Sequence, residues 1–403
     1  MFYLITDYTP FTLNLTPYTF HLQHLSLNLI PSAINLKIMK ITHTEIYRFS
    51  IPMEPFVIAT GTMHFAQNVL IRIYTDAGIH GIGECSAFPM IVGETQETCI
   101  AMAKDFAAIL KGKDPLEIPE RMNDLLGYAD HNNTIKSAFD MALFDIAAKN
   151  AKLPLYKFLG GTKRTIETDM TIGIDTPEGM AATALKYKSQ GCRILKIKLG
   201  KKVHDDIERV KHIREAVGED LTLRLDANQG WSFDDALFAL GELEKYNIEF
   251  CEQPMRTWYD DKLPELNVNS PIKLMADESC YNHHDARKLI NSQSTTYLNI
   301  KFSKSGGILE AQKIHEEALQ RGVKCMIGSM LESRIALSAN LHFALASPNV
   351  EFFDLDTALL GHLVDPVVGG LTYNGYFLDV PEEIGIGAEA DEFFLAECES
   401  WTV

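Results

Sequence analysis

Short apolar segments, each ending in a charged or amide-bearing residue, recur through the second half of this 403-residue chain at nearly constant spacing. From Lys198 to Asp226, Glu252, Asp277 and Lys301 the steps are 28, 26, 25 and 24 residues. That is close to one strand-plus-helix unit, since eight such units occupy roughly 250 residues. The pattern predicts strands at 165–172, 194–199, 221–228, 248–254, 272–279, 297–302, 324–330 and 350–356, with amphipathic helices between them. Eight strands alternating with helices predict a (β/α) barrel of the TIM type. A doubly wound open sheet competes, but it usually carries a glycine-rich turn after its first strand. None is present here.

The chain ahead of the barrel has another texture. Residues 39–75 alternate as strands, with Asp76-Ala77-Gly78 as a turn, and 95–160 read as helical. The expected organisation is an α+β domain over 39–162, the barrel over 163–362, and a glycine-rich segment, 363–403, returning to the first domain. Residues 1–38 carry only Asp7 and Lys37 as acidic or basic groups. Their three prolines deny them the unbroken apolar run of a membrane helix, and they lack the basic start of a secretion signal. The fold is expected to begin at Met39, with the extension dispensable.

Composition excludes several functions. A net charge of −17 would be repelled by nucleic acid or an anionic membrane. Seven scattered cysteines without a Cys-x-x-Cys pair indicate neither a disulfide framework nor a zinc site, which fits a reducing cytoplasm. The sequence leaves open whether the chain forms a homo-oligomer.

The strand ends carry the chemistry. Alternation puts Lys196 and Lys198 on one face, as it does Asp226 with Asn228 and Asp354 with Asp356. Closing the barrel gathers these at one mouth, where such folds place their sites. Asp226, Glu252 and Asp277, on three adjacent strands, would repel one another unless a cation neutralised them. Oxygen ligands without Cys or His favour Mg²⁺. Lys198 and Lys301, on strands two and six, face each other across the mouth. A carbon acid beside a carboxylate loses its proton only if the enediolate is stabilised, which Mg²⁺ can do. Lysines on opposite faces imply inversion at carbon.

Lys196-Ile197-Lys198, Asp226-Ala227-Asn228-Gln229-Gly230-Trp231, Glu252-Gln253-Pro254, Ala276-Asp277-Glu278-Ser279 and Asn299-Ile300-Lys301 followed by Gly306-Gly307 resemble the enolase superfamily. Within it the muconate-lactonizing-enzyme subgroup matches best, from Met39 to the C-terminus. The resemblance implies a capping domain over a modified (β/α)₇β barrel, with Asp226, Glu252 and Asp277 on Mg²⁺. Lys198 and Lys301 become the acid/base pair, as enolase-type sites use a Lys or His base with Mg²⁺. Asp354-Leu355-Asp356 is similar to the Asp-x-Asp with which the subgroup's dipeptide epimerases hold a substrate α-ammonium. The expected ligand is thus a small dipeptide. Epimerases acting on Ala-Glu carry an arginine in the mobile loop of the capping domain, where this chain has Gly61. An unpaired buried glutamate would be costly, so the expected substrate has a small or apolar C-terminal residue, of the Ala-Ala type.

Each motif alone has a plainer reading. Lys196 and Lys198 could be edge-strand surface lysines, although the apolar residues around them oppose this. A single acid could cap a helix. Lys196 is expected to neutralise the substrate carboxylate or tune Lys198, and Thr171, Asn228, Ser329 and Met330 to line the substrate site. Lys304 reads as a loop charge or as one that backs a site residue, Glu332 as a partner of Lys301 or a helix start, and His283-His284, whose side chains as adjacent residues should point apart, as a solvated helix start. The rival functions are an N-succinylamino acid racemase or o-succinylbenzoate synthase, which would not need the Asp354/Asp356 pair, and a barrel-scaffold binding protein, which would not need two opposed lysines.

Overall fold

A computed structural model describes residues 38–403. The expectation that the N-terminal extension is dispensable falls on residues outside that range. Two long strands, Ile41–Ile58 and Gly61–Thr75, form a hairpin extended by His80–Ser86 on one side and by the C-terminal Ser400–Thr402 on the other. The antiparallel register slips between Pro52 and Phe56. Pro52 and Pro55 have no N–H to lose from a ladder, so a bulge costs little there. The strand is held instead from elsewhere: Glu54 N donates to Gly361 O at 2.9 Å, Leu363 N to Pro52 O at 2.9 Å, and Ile174 N to Val57 O at 2.9 Å.

Helix Asn133–Asn150 is buried almost all round. It lies so close to the third strand that a Cβ on Gly81 or Gly83 would fall within 2.1 Å of the Ala142 or Ala138 carbonyl oxygen. Its first N–H groups are capped by Glu94, which accepts from Thr134 N at 2.8 Å and Ile135 N at 3.4 Å.

Eight parallel strands follow: Met170–Ile172, Ile194–Lys198, Thr222–Asp226, Ile248–Glu252, Leu274–Ala276, Tyr297–Ile300, Lys324–Gly328 and Val350–Asp354, each paired to the next. The barrel is nearly closed. Between its first and last strands Asp169 N donates to Phe353 O at 3.1 Å and Leu355 N to Thr168 Oγ1 at 2.9 Å. One strand departs from the sequence reading. Ile166–Glu167 pairs antiparallel with Phe377–Asp379, and only Met170–Ile172 enters the barrel. The break is at Thr168, whose N–H bonds Tyr376 O and whose hydroxyl serves the barrel seam.

Inside the barrel Phe250, Met275, Tyr297, Met326 and Phe352 form a separate buried cluster. The Arg224 guanidinium sits 5.3 and 5.2 Å from the Phe250 and Phe352 ring centroids, and Arg224 is the register partner of Phe250. Polar strand ends begin one side-chain step higher.

Candidate active site

Above the apolar cluster, parallel pairing sets Lys198 beside Asp226, and Asp226 beside Glu252. Asp277 directly follows strand Leu274–Ala276. Lys196 lies buried beneath, its Nζ 2.6 Å from Asp354 Oδ2, 2.8 Å from Glu252 Oε2 and 3.2 Å from Asp226 Oδ2. Lys198 Nζ stands 2.6 Å from Asp226 Oδ2. Across the mouth Lys301 Nζ is 2.9 Å from Asp277 Oδ2, and Lys304 Nζ is 2.8 Å from Asp277 Oδ1. Of the two sequence readings of Lys304, the structure matches the one that backs a site residue: Lys304 is buried and also donates to Asn299 O at 2.9 Å.

Local backbone explains how these groups are held. Gly328 on the seventh strand lets Lys301 pass, because a Cβ there would be 2.9 Å from Lys301 Cε and 2.7 Å from Asn299 Oδ1. Asn299 in turn donates to Glu252 Oε1 at 2.7 Å. Asn228, Gln229 and Gln253 have positive φ of 40°, 66° and 34°, conformations that cost non-glycine residues of order 1 kcal/mol or more. Gln253 offsets that cost with its side chain. Its Oε1 accepts from Asp277 N at 3.0 Å and Ser279 N at 3.2 Å, fixing the turn that presents Asp277.

Burial and charge divide the acids. Burial would raise every carboxyl here, yet the lysines hold Asp226, Asp277 and Asp354 below their ordinary values. Glu252 is pushed up to about 7 by burial and by Asp226. Asp356 is likewise raised to about 7 by burial and by Asp354. Burial opposes the Lys301 ammonium, but Asp277, Glu252 and Asp354 together outweigh it and the pKa stands above the usual value.

These groups meet at one small cavity. Its wall contains Lys198, Lys301, Asp277, Thr171, Asn228, Ser329, Met330, Asp354 and Asp356, all expected from the sequence. Asp226, Glu252 and Lys196 stand behind that wall. Lys196 therefore braces the acids from below instead of facing the cavity. Ser329 donates from its backbone and its hydroxyl to Asp354 O, each at 3.0 Å, and Thr171 N donates to Asp356 Oδ2 at 2.7 Å. Phe56 and Ile58 of the hairpin, Phe88 and Ile91, Leu331 and Leu360 supply an apolar wall. The cationic side chains in the lining are Lys198 and Lys301. A Cβ on Gly61 would lie 2.5 Å from Met90 Sδ, so that position faces Met90.

The oxygen donors suit a hard divalent cation. Glu252 Oε2 and both Asp277 carboxylate oxygens are buried and faced by lysine ammonium groups, while Asn228 Oδ1 and Glu278 Oε2 are buried without a hydrogen-bond partner. No thiol or imidazole is among them. Glu278 went unnoticed as a site residue, although it sits inside a recognised motif. Asp169 was missed too, though it lies two residues before Thr171. Oxygens of Asp169, Asp354 and Asp356 come within 4.8 Å of one another, and Arg224 Nη1 pairs with Asp169 Oδ2 at 2.9 Å. Glu332 reaches neither expected partner. It accepts from Ser303 Oγ at 3.0 Å and Met330 N at 2.5 Å, while Ser333 caps the next helix. His283 and His284 do not point apart. Their ring centroids are 3.9 Å apart, and His283 Nδ1 lies 2.6 Å from Glu310 Oε1.

Opposed lysines over a cluster of buried oxygen donors, at the mouth of a capped barrel, define an enzyme for carbon acids. The comparisons specify which family. The mandelate racemase / muconate lactonizing enzyme N-terminal domain matches residues 41–160, and the enolase C-terminal domain-like family matches 179–394. The chain is 42% identical to a D-Ala-D/L-Ala epimerase of Cytophaga hutchinsonii, covering 90% of this chain and 99% of that one. It is 37% identical to an L-Ala-D/L-Glu epimerase of Bacillus subtilis, over 87% and 96%. A crystal structure of the Cytophaga hutchinsonii dipeptide epimerase with Mg and D-Ala-L-Val superposes with a TM-score of 0.89 at 41% identity, covering 90% of this chain and 100% of that one. The chain belongs to the enolase superfamily, in its mandelate racemase / muconate lactonizing enzyme branch, and is an isomerase.

Proposed function

We propose that the protein is a Mg²⁺-dependent dipeptide epimerase that inverts the α-carbon beside the C-terminal carboxylate of dipeptides whose last residue is small or apolar. The observation that carries this reading is that Lys198, Lys301, Asp354 and Asp356 all open on one cavity whose remaining wall is largely apolar. Asp354 and Asp356 offer two carboxylates to an α-ammonium group, which an N-acyl substrate would not satisfy. Asp226, Glu252 and Asp277 would hold the metal, which would supply positive charge against the negative charge that develops when the α-proton leaves. Lys198 or Lys301 takes the α-proton as a neutral amine, and the other lysine returns a proton as an ammonium on the opposite face. Proton loss and gain balance within the turnover. Phe56, Ile58 and Phe88 exclude water from the reacting carbon.

The absence of an arginine from the lining supports the choice of side chain. A glutamate side chain would bury a carboxylate among Phe and Ile with both lysines already committed to the α-carbon. Ala-Ala and Ala-Val should therefore exceed Ala-Glu in kcat/KM by ~100-fold or more. Measuring that ratio, with deuterium incorporation at the α-carbon in D₂O, tests both parts. Ala-Glu as the best substrate would overturn the specificity, and no exchange across a dipeptide panel would overturn the activity.

A further inference from the structure

The two lysines are reached by chain segments held in different ways. Beyond Lys198, Gly200 N donates to Asp206 Oδ2 at 2.9 Å, and Trp231 Nε1 donates to the same oxygen at 2.9 Å. Both partners belong to the barrel. Beyond Lys301 the chain makes a short helix, Phe302–Ser305, then passes through Gly306 and Gly307 into helix Ile308–Gln320. That turn is gripped from the capping domain. Thr134 Oγ1 donates to Ser303 O at 2.9 Å, and Asn133 Nδ2 donates to Lys304 O at 3.2 Å. One and a half turns further along the same capping helix, Asp140 accepts from Ile308 N at 2.5 Å and from Leu309 N at 3.3 Å. The fit leaves no slack. Gly307 has φ of +116°, and a Cβ there would lie 2.3 Å from Asp140 Oδ1. The two glycines thus seat a carboxyl group from the protein itself at the helix N-terminus, where it accepts from backbone N–H groups that have no partner within the helix.

We propose that Thr134 and Asp140 are positioning residues for Lys301: helix Asn133–Asn150 clamps both ends of the turn that follows this lysine and leaves the Lys198 side to the barrel. The inference rests on the two-lysine reading above. Thr134 and Asp140 act through the backbone of 303–309 and touch no substrate. Sub-ångström slack at a base lowers proton transfer far more than it lowers binding.

The test isolates each face. Lys301→Ala leaves Lys198 alone to exchange the α-proton of one epimer with D₂O, and Lys198→Ala leaves Lys301 to exchange that of the other. In the Lys198→Ala protein, adding Asp140→Ala or Thr134→Val should slow exchange about tenfold or more, with KM little changed. In the Lys301→Ala protein the same additions should leave exchange within about twofold. Asp140→Asn and Thr134→Ser, which keep an acceptor for Ile308 N and a donor for Ser303 O, should restore Lys301-side exchange. If Asp140→Ala does not fold, Thr134→Val carries the comparison. Equal losses in both backgrounds, or none in either, would overturn the inference. Absence of exchange from both single-lysine proteins while the wild type epimerises would instead defeat the two-base reading, and the inference with it.

Discussion

Lys198 and Lys301 face the same cavity and have the same chemical type, yet their supports come from different parts of the chain. The Lys198 side is built within 35 residues of sequence, from Lys196 to Trp231, with Asp206 as its anchor. The Lys301 side draws on Ser86, Asn133, Thr134 and Asp140, more than 160 residues away. Ser86 N donates to Ser303 Oγ at 3.2 Å, which in turn donates to Glu332. The Lys198 side is thus supported from within the barrel, and the Lys301 side is also held from the capping domain.

The largest effect that can probe this contrast is loss of either lysine. Lys198→Ala and Lys301→Ala should each cut epimerisation by on the order of 10³-fold while sparing exchange on the other face. Steady-state epimerisation and D₂O exchange, measured side by side, check it. If each variant lost both activities equally, the faces would not be separable. Asp356→Ala comes next. Removing one acid from the buried group around Asp354 should cost dipeptide turnover about 10²-fold, and should hardly change any turnover of an N-acyl amino acid. A parallel loss on both substrate types would remove the ammonium from the account.

Docking itself can be titrated at His342, on helix Arg334–Ala346. Its Nδ1 accepts from Tyr156 N at 3.1 Å, so Nε2 carries the proton donated to Ile386 O at 3.0 Å. Burial pulls its pKa down to about 4. Since the unfolded value is near 6.5, the unfolded chain binds the proton first. The contribution of neutral His342 is therefore full above pH 6.5 and is lost as pH falls towards 4, on the order of 3 kcal/mol in all. Thermal unfolding of wild type and His342→Gln across that range should converge at low pH. Parallel curves would contradict it. The smallest effect belongs to the barrel's own side. Trp231→Phe removes one hydrogen bond to Asp206 and should cost about 1 kcal/mol of stability, slowing Lys198-side exchange and leaving Lys301-side exchange unchanged.

The sequence discloses the two sides unequally for the same reason. Strand-end acids and lysines are visible because a barrel repeats its unit, so Lys198, Asp226, Glu252, Asp277 and Lys301 announce themselves by spacing. Asp140 gives no such signal. In sequence it is one polar residue in a buried helix, and its partner, the Gly306-Gly307 turn, reads equally well as an ordinary tight bend. The apolar wall at Phe88 and Ile91 is hidden likewise, because the one-turn helix Pro89–Val92 is too short to show a period. Asp169 and Arg224 look like strand residues until closure of the barrel puts Asp169 beside Asp354 and Asp356, with Arg224 paired to it. Lys304 is legible only as one of two readings, because the turn after Lys301 that folds it back under Asp277 leaves no periodic mark in the sequence.

Phe250, Met275, Tyr297, Met326 and Phe352 make the barrel a blind-ended vessel. Nothing can drain through the bottom, so both epimers must come and go over the rim beneath the hairpin that carries Phe56 and Ile58. The strand behind those side chains is latched by backbone bonds at Pro52, Glu54 and Val57. A ligand entering or leaving the cavity therefore passes side chains whose strand those latches hold in place.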